Sequence, residues 1–148
     1  MRLKLLEANG MINKPQKLVV DTNLWISFLI SRSYSKLDKI LTSGSAILIF
    51  NNELLEEFVE VVERPKFKNI FSTSDIHKLL SEIHHFADFI EVKTTVDICR
   101  DKKDNFLLAL CQDGNADFLL TGDEDLLIIK KFGKTRIMSI TEYLTLFA

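Results

Sequence analysis

Side-chain carboxylates follow four of the short apolar runs in this sequence, near the point where each run ends. The four sets are Asp21; Glu53, Glu56 and Glu57; Asp101 and Asp104; and Asp123, Glu124 and Asp125. Carboxylates that are brought close together repel one another, which raises their pKa values or destabilises the fold. A hard divalent cation removes that repulsion, and an all-oxygen ligand set favours Mg²⁺ or Mn²⁺ over zinc or copper. Such a cation can polarise a phosphate and generate hydroxide for attack on phosphorus, so the acids indicate metal-dependent phosphate chemistry.

Each acid also has an ordinary structural role open to it. Asp21 and Asp104 could cap helices, because aspartate is favoured at helix N-termini. Asp123 follows a glycine and could lie in a turn, while Glu56 and Glu57 could belong to a solvated helix face. These roles account for each acid separately, but they predict only weakly that acids should follow four successive strands.

The apolar runs are short, and several are apolar at every position, which is typical of parallel strands covered on both faces. Strands are predicted over residues 18–20, 46–50, 89–92, 118–120 and 136–139. Helical patterns cover residues 24–30, 34–41, 53–63, 74–86 and 105–113, and the tail opens with a capping box at 139–142. This alternation predicts an α/β domain with a mostly parallel sheet, in which chemistry gathers beyond the carboxyl ends of the strands.

The composition is that of one globular domain. The chain has 148 residues, of which 47% are hydrophobic and 27% are charged, enough for a core without disulfides or structural metal. A formal net charge of −2 excludes nucleic-acid binding through bulk positive charge, so such binding requires local basic patches. No apolar run approaches the length of a membrane span. Cys99 and Cys111 lack CxxC spacing, and although two cysteines leave a disulfide open, we expect a reduced cytoplasmic protein.

Other catalytic residue types form no comparable pattern. His77, His84 and His85 fall on one predicted helix, away from the acidic loops, and are expected to be structural or surface residues. The sequence has neither a glycine-rich phosphate loop nor a GxSxG motif. Trp25 and the phenylalanines are expected in the core rather than on a surface that stacks against bases.

Three blocks of the sequence resemble the PIN-domain nucleases. They are "VVDTNLWISFL", "NNELLEEFVEVVERPKF" and "CRDKKDNFLLALCQDGNADFLLTGDEDLL". The third block is specific in its order of acid, helix and "ADFLLTGD", and the set is similar to a VapC-like subgroup described as the toxin component of toxin–antitoxin systems. The resemblance implies an N-terminal extension over residues 1–16 and a PIN-like domain over 17–148. It implies a three-layer α/β sandwich, with helices flanking the mostly parallel sheet of five predicted strands.

The resemblance also implies a Mg²⁺- or Mn²⁺-dependent ribonuclease and the residues of its site. The four acids of the family fall on Asp21, Glu57, Asp104 and Asp123. The implied metal ligands are Asp21, Asp104, Asp123 and Asp125, while Glu57 completes the site or positions the attacking water. Asn23 and Thr121 occupy positions that support such a site.

Basic residues near the predicted acidic edge are candidates for contacts with RNA phosphates. They are Arg32, Lys36, Arg64, Lys66, Lys68, Arg100, Lys102 and Lys103. Contacts of this kind weaken steeply with salt, although ordinary surface charge would account for about half of these cations equally well. RNA is therefore the expected partner, and the resemblance adds a cognate antitoxin protein and a second copy of the chain as candidates.

Two other functions fit parts of the pattern. A catalytically silent PIN-like module would only bind RNA or protein, but the presence of all four acids disfavours it. A Mg²⁺-dependent phosphatase or phosphoacceptor domain usually needs a second aspartate next to the first or two residues after it, where Thr22 and Asn23 stand here. We therefore favour an endoribonuclease.

Overall fold

The computed structural model describes the backbone of residues 14–31 and 35–147, with side chains over residues 14–27 and 39–147. This part of the chain forms a six-stranded sheet of β1 (Gln16–Val20), β2 (Ala46–Phe50), β3 (Ala87–Phe89), β4 (Phe118–Leu120), β5 (Lys131–Phe132) and β6 (Thr135–Met138). The strands lie in the order β3-β2-β1-β4-β6-β5, and all neighbours are parallel except β5 and β6. The predicted α/β class with a mostly parallel sheet is confirmed.

Helices flank the sheet. In the described residues they are α1 (Thr22–Ser31), α2 (Ser35–Thr42), α3 (Asn52–Val62), α4 (Thr73–Phe86), α5 (Lys102–Asp113), α6 (Glu124–Leu127) and α7 (Ile140–Phe147), with a 3₁₀ turn at Pro65–Phe67. Helix α5 packs against β1 and β2, and α4 packs against β2 and β3. The predicted capping box of the tail is present, because Ser139 Oγ accepts a hydrogen bond from the Glu142 N–H at 3.1 Å and Glu142 Oε1 accepts from the Ser139 N–H at 3.4 Å.

The two central strands explain how separate acids can meet. Every residue of β4 is buried, as are Leu18, Val19 and Val20 of β1, which agrees with parallel strands covered on both faces. From β1 the sheet adds β2 and β3 on one side and β4 and β6 on the other. The carboxyl ends of β1 and β4 therefore form the switch point of the sheet, where open α/β folds bind ligands.

The strand predicted over residues 89–92 is wrong in its bounds, because the structure places β3 at Ala87–Phe89. Helix α4 runs into this strand without a loop, so the strand begins two residues before the predicted start. After the strand, the Asp113 carboxylate accepts hydrogen bonds from the N–H groups of Lys93 and Thr94. The pairing itself ends because β2 ends at Phe50, which pairs with Phe89 and whose carbonyl oxygen accepts from the Ile90 N–H at 3.0 Å.

The start of α5 and two short elements also differ from the predicted pattern. Helix α5 begins at Lys102, three residues before the predicted start at residue 105. Neither the two-residue strand β5 nor the four-residue helix α6 was predicted, because segments this short carry no readable periodicity. The first 13 residues of the predicted N-terminal extension lie outside the described part of the chain.

Cys99 and Cys111 are both free thiols, and Cys111 is buried. Among the helices that the structure describes, none is both long and apolar enough to cross a lipid bilayer.

Gly114, at the end of α5, lies where a methyl group would disturb the packing. A Cβ atom at this position would lie 2.6 Å from Ile49 Cγ2 and 3.1 Å from Ile90 Cδ1. We expect Gly114→Ala to lower the free energy of unfolding by about 1–3 kcal/mol through overpacking, as measured by urea denaturation. Gly122→Ala is the matched control, because nothing lies within 4 Å of its Cβ position. Equal unfolding free energies for the two variants would contradict the close packing at Gly114.

Candidate metal centre

A polar cleft opens beyond the carboxyl ends of β1 and β4. It is lined by five carboxylates, Asp21, Glu57, Asp101, Asp104 and Asp123, and by two cations, Arg64 and Lys103. Four of these acids are the ones that sequence analysis assigned to the site. The structure brings them to one cleft, while their chemical roles stay predictions.

Asp21 is fixed at the end of β1 through its backbone and both carboxylate oxygens. Its N–H donates to Leu120 O of β4 at 2.9 Å. Its Oδ1 accepts from the Asn23 N–H at 3.2 Å, and its Oδ2 accepts from the Thr121 hydroxyl at 2.8 Å. Burial raises the pKa of Asp21, and the nearby charges of Asp123 and Glu57 raise it further. Asp21 therefore caps α1 and also faces the cleft, so its structural and chemical roles coexist.

Thr121 joins the ends of the two central strands. Its side chain is fully buried, and its hydroxyl donates to Asp21 while accepting from the Asp123 N–H at 3.0 Å. Asp123 is the N-cap of α6, where its Oδ1 accepts from the Asp125 N–H at 2.9 Å. Asp123, for which a turn was one expected role, is instead a helix N-cap. This cap holds its carboxylate beside the cleft.

The surrounding protein satisfies the hydrogen-bonding capacity of Asp104 less fully than that of Asp21 or Asp123. The N-cap of α5 is Asp101, which accepts from the Lys103 N–H at 2.9 Å, so Asp104 is not the cap. Asp104 is only 5% exposed, and its Oδ2 has no hydrogen-bond partner among the described residues. Burial and, after it, the charge of Asp123 together raise the pKa of Asp104 to about 6.

This arrangement fits a divalent cation. Carboxylate oxygens of Asp104, Asp123 and Asp125 lie within 4.8 Å of one another. A buried carboxylate oxygen without a partner is costly in a folded protein. Because the donors are all oxygen atoms, a hard cation would supply the missing partner and offset the repulsion between the acids.

Glu57 is the glutamate of helix α3 that reaches the cleft. It is half-buried, and its Oε1 lies 3.2 Å from Lys103 Nζ. Glu53 and Glu56 are exposed and do not line the cleft. Asn51 is the N-cap of helix α3, and its Oδ1 accepts from the Leu54 N–H at 2.9 Å.

The predicted phosphate-binding cations divide into three groups. Arg64 and Lys103 line the cleft, and Arg100 forms an ion pair with Asp125 just outside it. The exposed residues Lys66, Lys68 and Lys102 are not among the lining residues. Arg32 and the side chain of Lys36 lie outside the described residues.

Asn105 is a supporting residue that the sequence analysis missed. It is 7% exposed, and its Oδ1 accepts from the N–H groups of Ile98 and Cys99 at 3.0 and 2.8 Å. Its Nδ2 donates to Cys99 O at 3.2 Å. These three bonds hold the segment that leads to Arg100 at the edge of the cleft. The available signal was an amide directly after the predicted ligand Asp104, in the sequence "KKDN".

The histidines and Trp25 lie where the sequence analysis expected them. His77, His84 and His85 are exposed on α4 and do not line the cleft, and His84 stacks on Phe89 with ring centroids 5.1 Å apart. Trp25 is buried in the core.

Comparisons with known proteins agree with this geometry. A family model described as "PIN domain" matches residues 17–125, a span that contains every acid of the cleft and Asp125. A protein of Methanocaldococcus jannaschii, named only as uncharacterized, is 26% identical over 121 residues. The aligned region covers 80% of this chain and 77% of that protein.

Asp104→Asn should distinguish a cation ligand from a structural acid. Without a divalent cation, the raised pKa makes the wild-type fold lose stability as the pH rises from 3.8, the ordinary pKa, to about 6. The amide does not ionise, so the variant should melt at or above wild type above about pH 6, and this advantage should shrink toward lower pH. With Mn²⁺, wild type should gain stability as RT ln(1 + [L]/Kd), whereas the variant should gain much less because an amide is a weaker ligand. Thermal melts over a manganese titration at two pH values measure both effects.

Asp101→Asn is the matched control for this experiment. Asparagine caps a helix about as well as aspartate does, so this variant keeps the cap of α5 while removing one charge from the same cleft. Its manganese-dependent shift should stay close to that of wild type. If both variants lose the shift equally, Asp104 has no special role in holding the cation.

Proposed function

Because this chain belongs to the PIN domain family, whose members are generally nucleases, we propose that it is a Mg²⁺- or Mn²⁺-dependent endoribonuclease. The main observation in support of the proposal is that Asp104 Oδ2 is buried and has no hydrogen-bond partner among the described residues. It belongs to a trio of acids, with Asp123 and Asp125, whose oxygens lie within 4.8 Å of one another.

The residues proposed to hold the cation are Asp21, Asp104 and Asp123, while Asp125, the fourth expected ligand, is paired with Arg100. The oxygens of the three proposed ligands come from the end of β1, from the first turn of α5 and from the N-cap of α6 that follows β4. A bound Mg²⁺ or Mn²⁺ would supply Lewis acidity toward a phosphodiester and lower the pKa of a water molecule. Thr121 and the Asn23 N–H limit rotation of the Asp21 carboxylate, because each binds one of its oxygens.

Glu57 is proposed to orient the water that attacks phosphorus. Its Oε1 is paired with Lys103, which leaves Oε2 to accept a hydrogen bond from that water. A carboxylate oxygen that accepts a hydrogen bond from this water would orient the lone pair of the water toward the phosphate. The ammonium of Lys103 also keeps the charge of Glu57 balanced within the acidic cleft.

Arg64 and Lys103 are proposed to contact the phosphates that flank the scissile bond. Both line the cleft beside the acids, and Arg64 has only a loose ion pair with Glu60 at 3.8 Å. Lys66, Lys68, Arg100 and Lys102 would extend this basic surface along the RNA. Because the net charge of the chain is −2, binding would depend on these local contacts and should weaken with salt.

Cleavage of single-stranded and structured RNA with and without 5 mM Mg²⁺ or Mn²⁺ tests this function. We expect cation-dependent cleavage that falls by about 10²–10³-fold in Asp21→Asn, because the variant loses a charged group that stabilises the transition state. Asp88→Asn is the matched control, since Asp88 is exposed on β3 and does not line the cleft. Binding without cleavage would indicate a silent module, and hydrolysis of small phosphate esters alone would indicate a phosphatase.

The three sequence blocks that resemble VapC-like proteins support a further proposal, that the protein is a cytoplasmic toxin inhibited by a cognate antitoxin and able to form a homodimer. Expression in bacteria should then slow growth, and Asp21→Asn should relieve the effect at equal protein level. The measurement is growth rate together with protein abundance. Equal inhibition by wild type and Asp21→Asn would show that nuclease activity is not the cause.

A further inference from the structure

Arg100 holds Asp125 in an ion pair at the outer side of the acidic trio. A single nitrogen, Arg100 Nη2, donates to both carboxylate oxygens, at 2.9 Å to Oδ1 and 2.8 Å to Oδ2. A carboxylate that binds a metal ion in bidentate fashion also places one positive centre between its two oxygens. The guanidinium of Arg100 therefore occupies the carboxylate of Asp125. Otherwise this carboxylate would be available to a cation together with those of Asp104 and Asp123.

The strength of the ion pair does not by itself decide what binds there. The side chains of Arg100 and Asp125 are 86% and 47% exposed, and ion pairs this exposed contribute little to stability. The segment before Arg100 is nevertheless held by Asn105, which binds the backbone of Ile98 and Cys99. Arg100 thus remains tethered beside the trio even when its ion pair opens.

The balance of charges decides how many divalent cations the site can hold. The cleft together with the Arg100–Asp125 pair contains six carboxylates and three cations among the described side chains, leaving three negative charges. One divalent cation would leave one negative charge, whereas two would leave a net positive charge in a crowded space. Without Arg100, four negative charges remain, and two divalent cations balance them.

We propose that Arg100 limits the acidic cleft to one divalent cation by occupying Asp125. The inference rests on the proposed function, because it takes the cleft to bind such a cation. Arg100 is a positioning residue here, since it acts through Asp125. Its removal would open a second position in the trio, and Asp104 would be shared between the two positions; its Oδ2 is buried and has no hydrogen-bond partner among the described residues. A guanidinium stays protonated at all ordinary pH values, so the limit holds across the working range of the protein.

The test counts the Mn²⁺ ions bound to the full chain, using electron paramagnetic resonance to quantify free Mn²⁺ during a titration. Wild type should saturate at one ion and Arg100→Gln at two. Lys102→Gln is the matched control, because it removes the same charge two positions along the chain from an exposed residue for which the structure shows no ion pair. This control should saturate at one ion, like wild type.

A double variant tests whether Arg100 acts through Asp125. Arg100→Gln combined with Asp125→Asn should return to one bound ion, because the carboxylate that Arg100 had covered is gone. Thermal melts give a second measurement: saturating Mn²⁺ should raise the Tm of Arg100→Gln more than that of wild type or Lys102→Gln.

Three outcomes would overturn the inference, and they separate it from the proposed function. One bound ion in both wild type and Arg100→Gln, or two in Lys102→Gln, would overturn the role of Arg100 alone. No bound ion in wild type or in any variant would overturn the proposed metal dependence and this inference together.

Discussion

The burial of the Asp104 carboxylate is the constraint on which the rest of the site depends. A carboxylate that is 5% exposed, with one oxygen lacking a partner in the described residues, destabilises the fold when it is ionised. The fold nevertheless places Asp123 beside it, and that charge adds to the effect of burial in raising the pKa of Asp104 to about 6. The frame that holds the acids together must be rigid enough to resist their repulsion. The buried strands β1 and β4 and the largely buried helix α5 supply that rigidity.

Helix starts reduce part of the cost of this crowding. Asp21 lies just before α1, Asp104 lies in the first turn of α5, and Asp123 is the N-cap of α6. The free N–H groups and the dipole of a helix N-terminus favour negative charge. Asp21 and Asp123 can therefore each cap a helix and face a bound cation at the same time. Asp104 differs, because Asp101 already provides the cap of α5 and Asp104 is left facing the cleft.

The sequence was sufficient to predict the parts of the structure that rest on strong local patterns. Residues 18–20 and 118–120 are apolar at every position, and both lie in buried parallel strands. Acids that follow parallel strands must reach the same edge of the sheet, so their meeting was also predictable. Residues 89–92 misled the prediction, because β3 ends where its partner strand β2 ends, at the pairing of Phe50 with Phe89. Such distant contacts leave no trace in the local pattern.

Side-chain pairing inside the site was beyond sequence reasoning for the same reason. Arg100 and Lys103 appeared only as candidate phosphate contacts, yet each pairs with an acid from a distant segment, Asp125 or Glu57.

Those pairs bear directly on the proposed function. A cleft with excess negative charge repels RNA, and cation binding reduces that repulsion. Because such coupling is reciprocal, RNA bound at Arg64 and Lys103 in the proposed enzyme would strengthen cation binding by the same factor. In the proposed enzyme, the buried acids that destabilise the cation-free fold would therefore also make RNA binding depend on the cation.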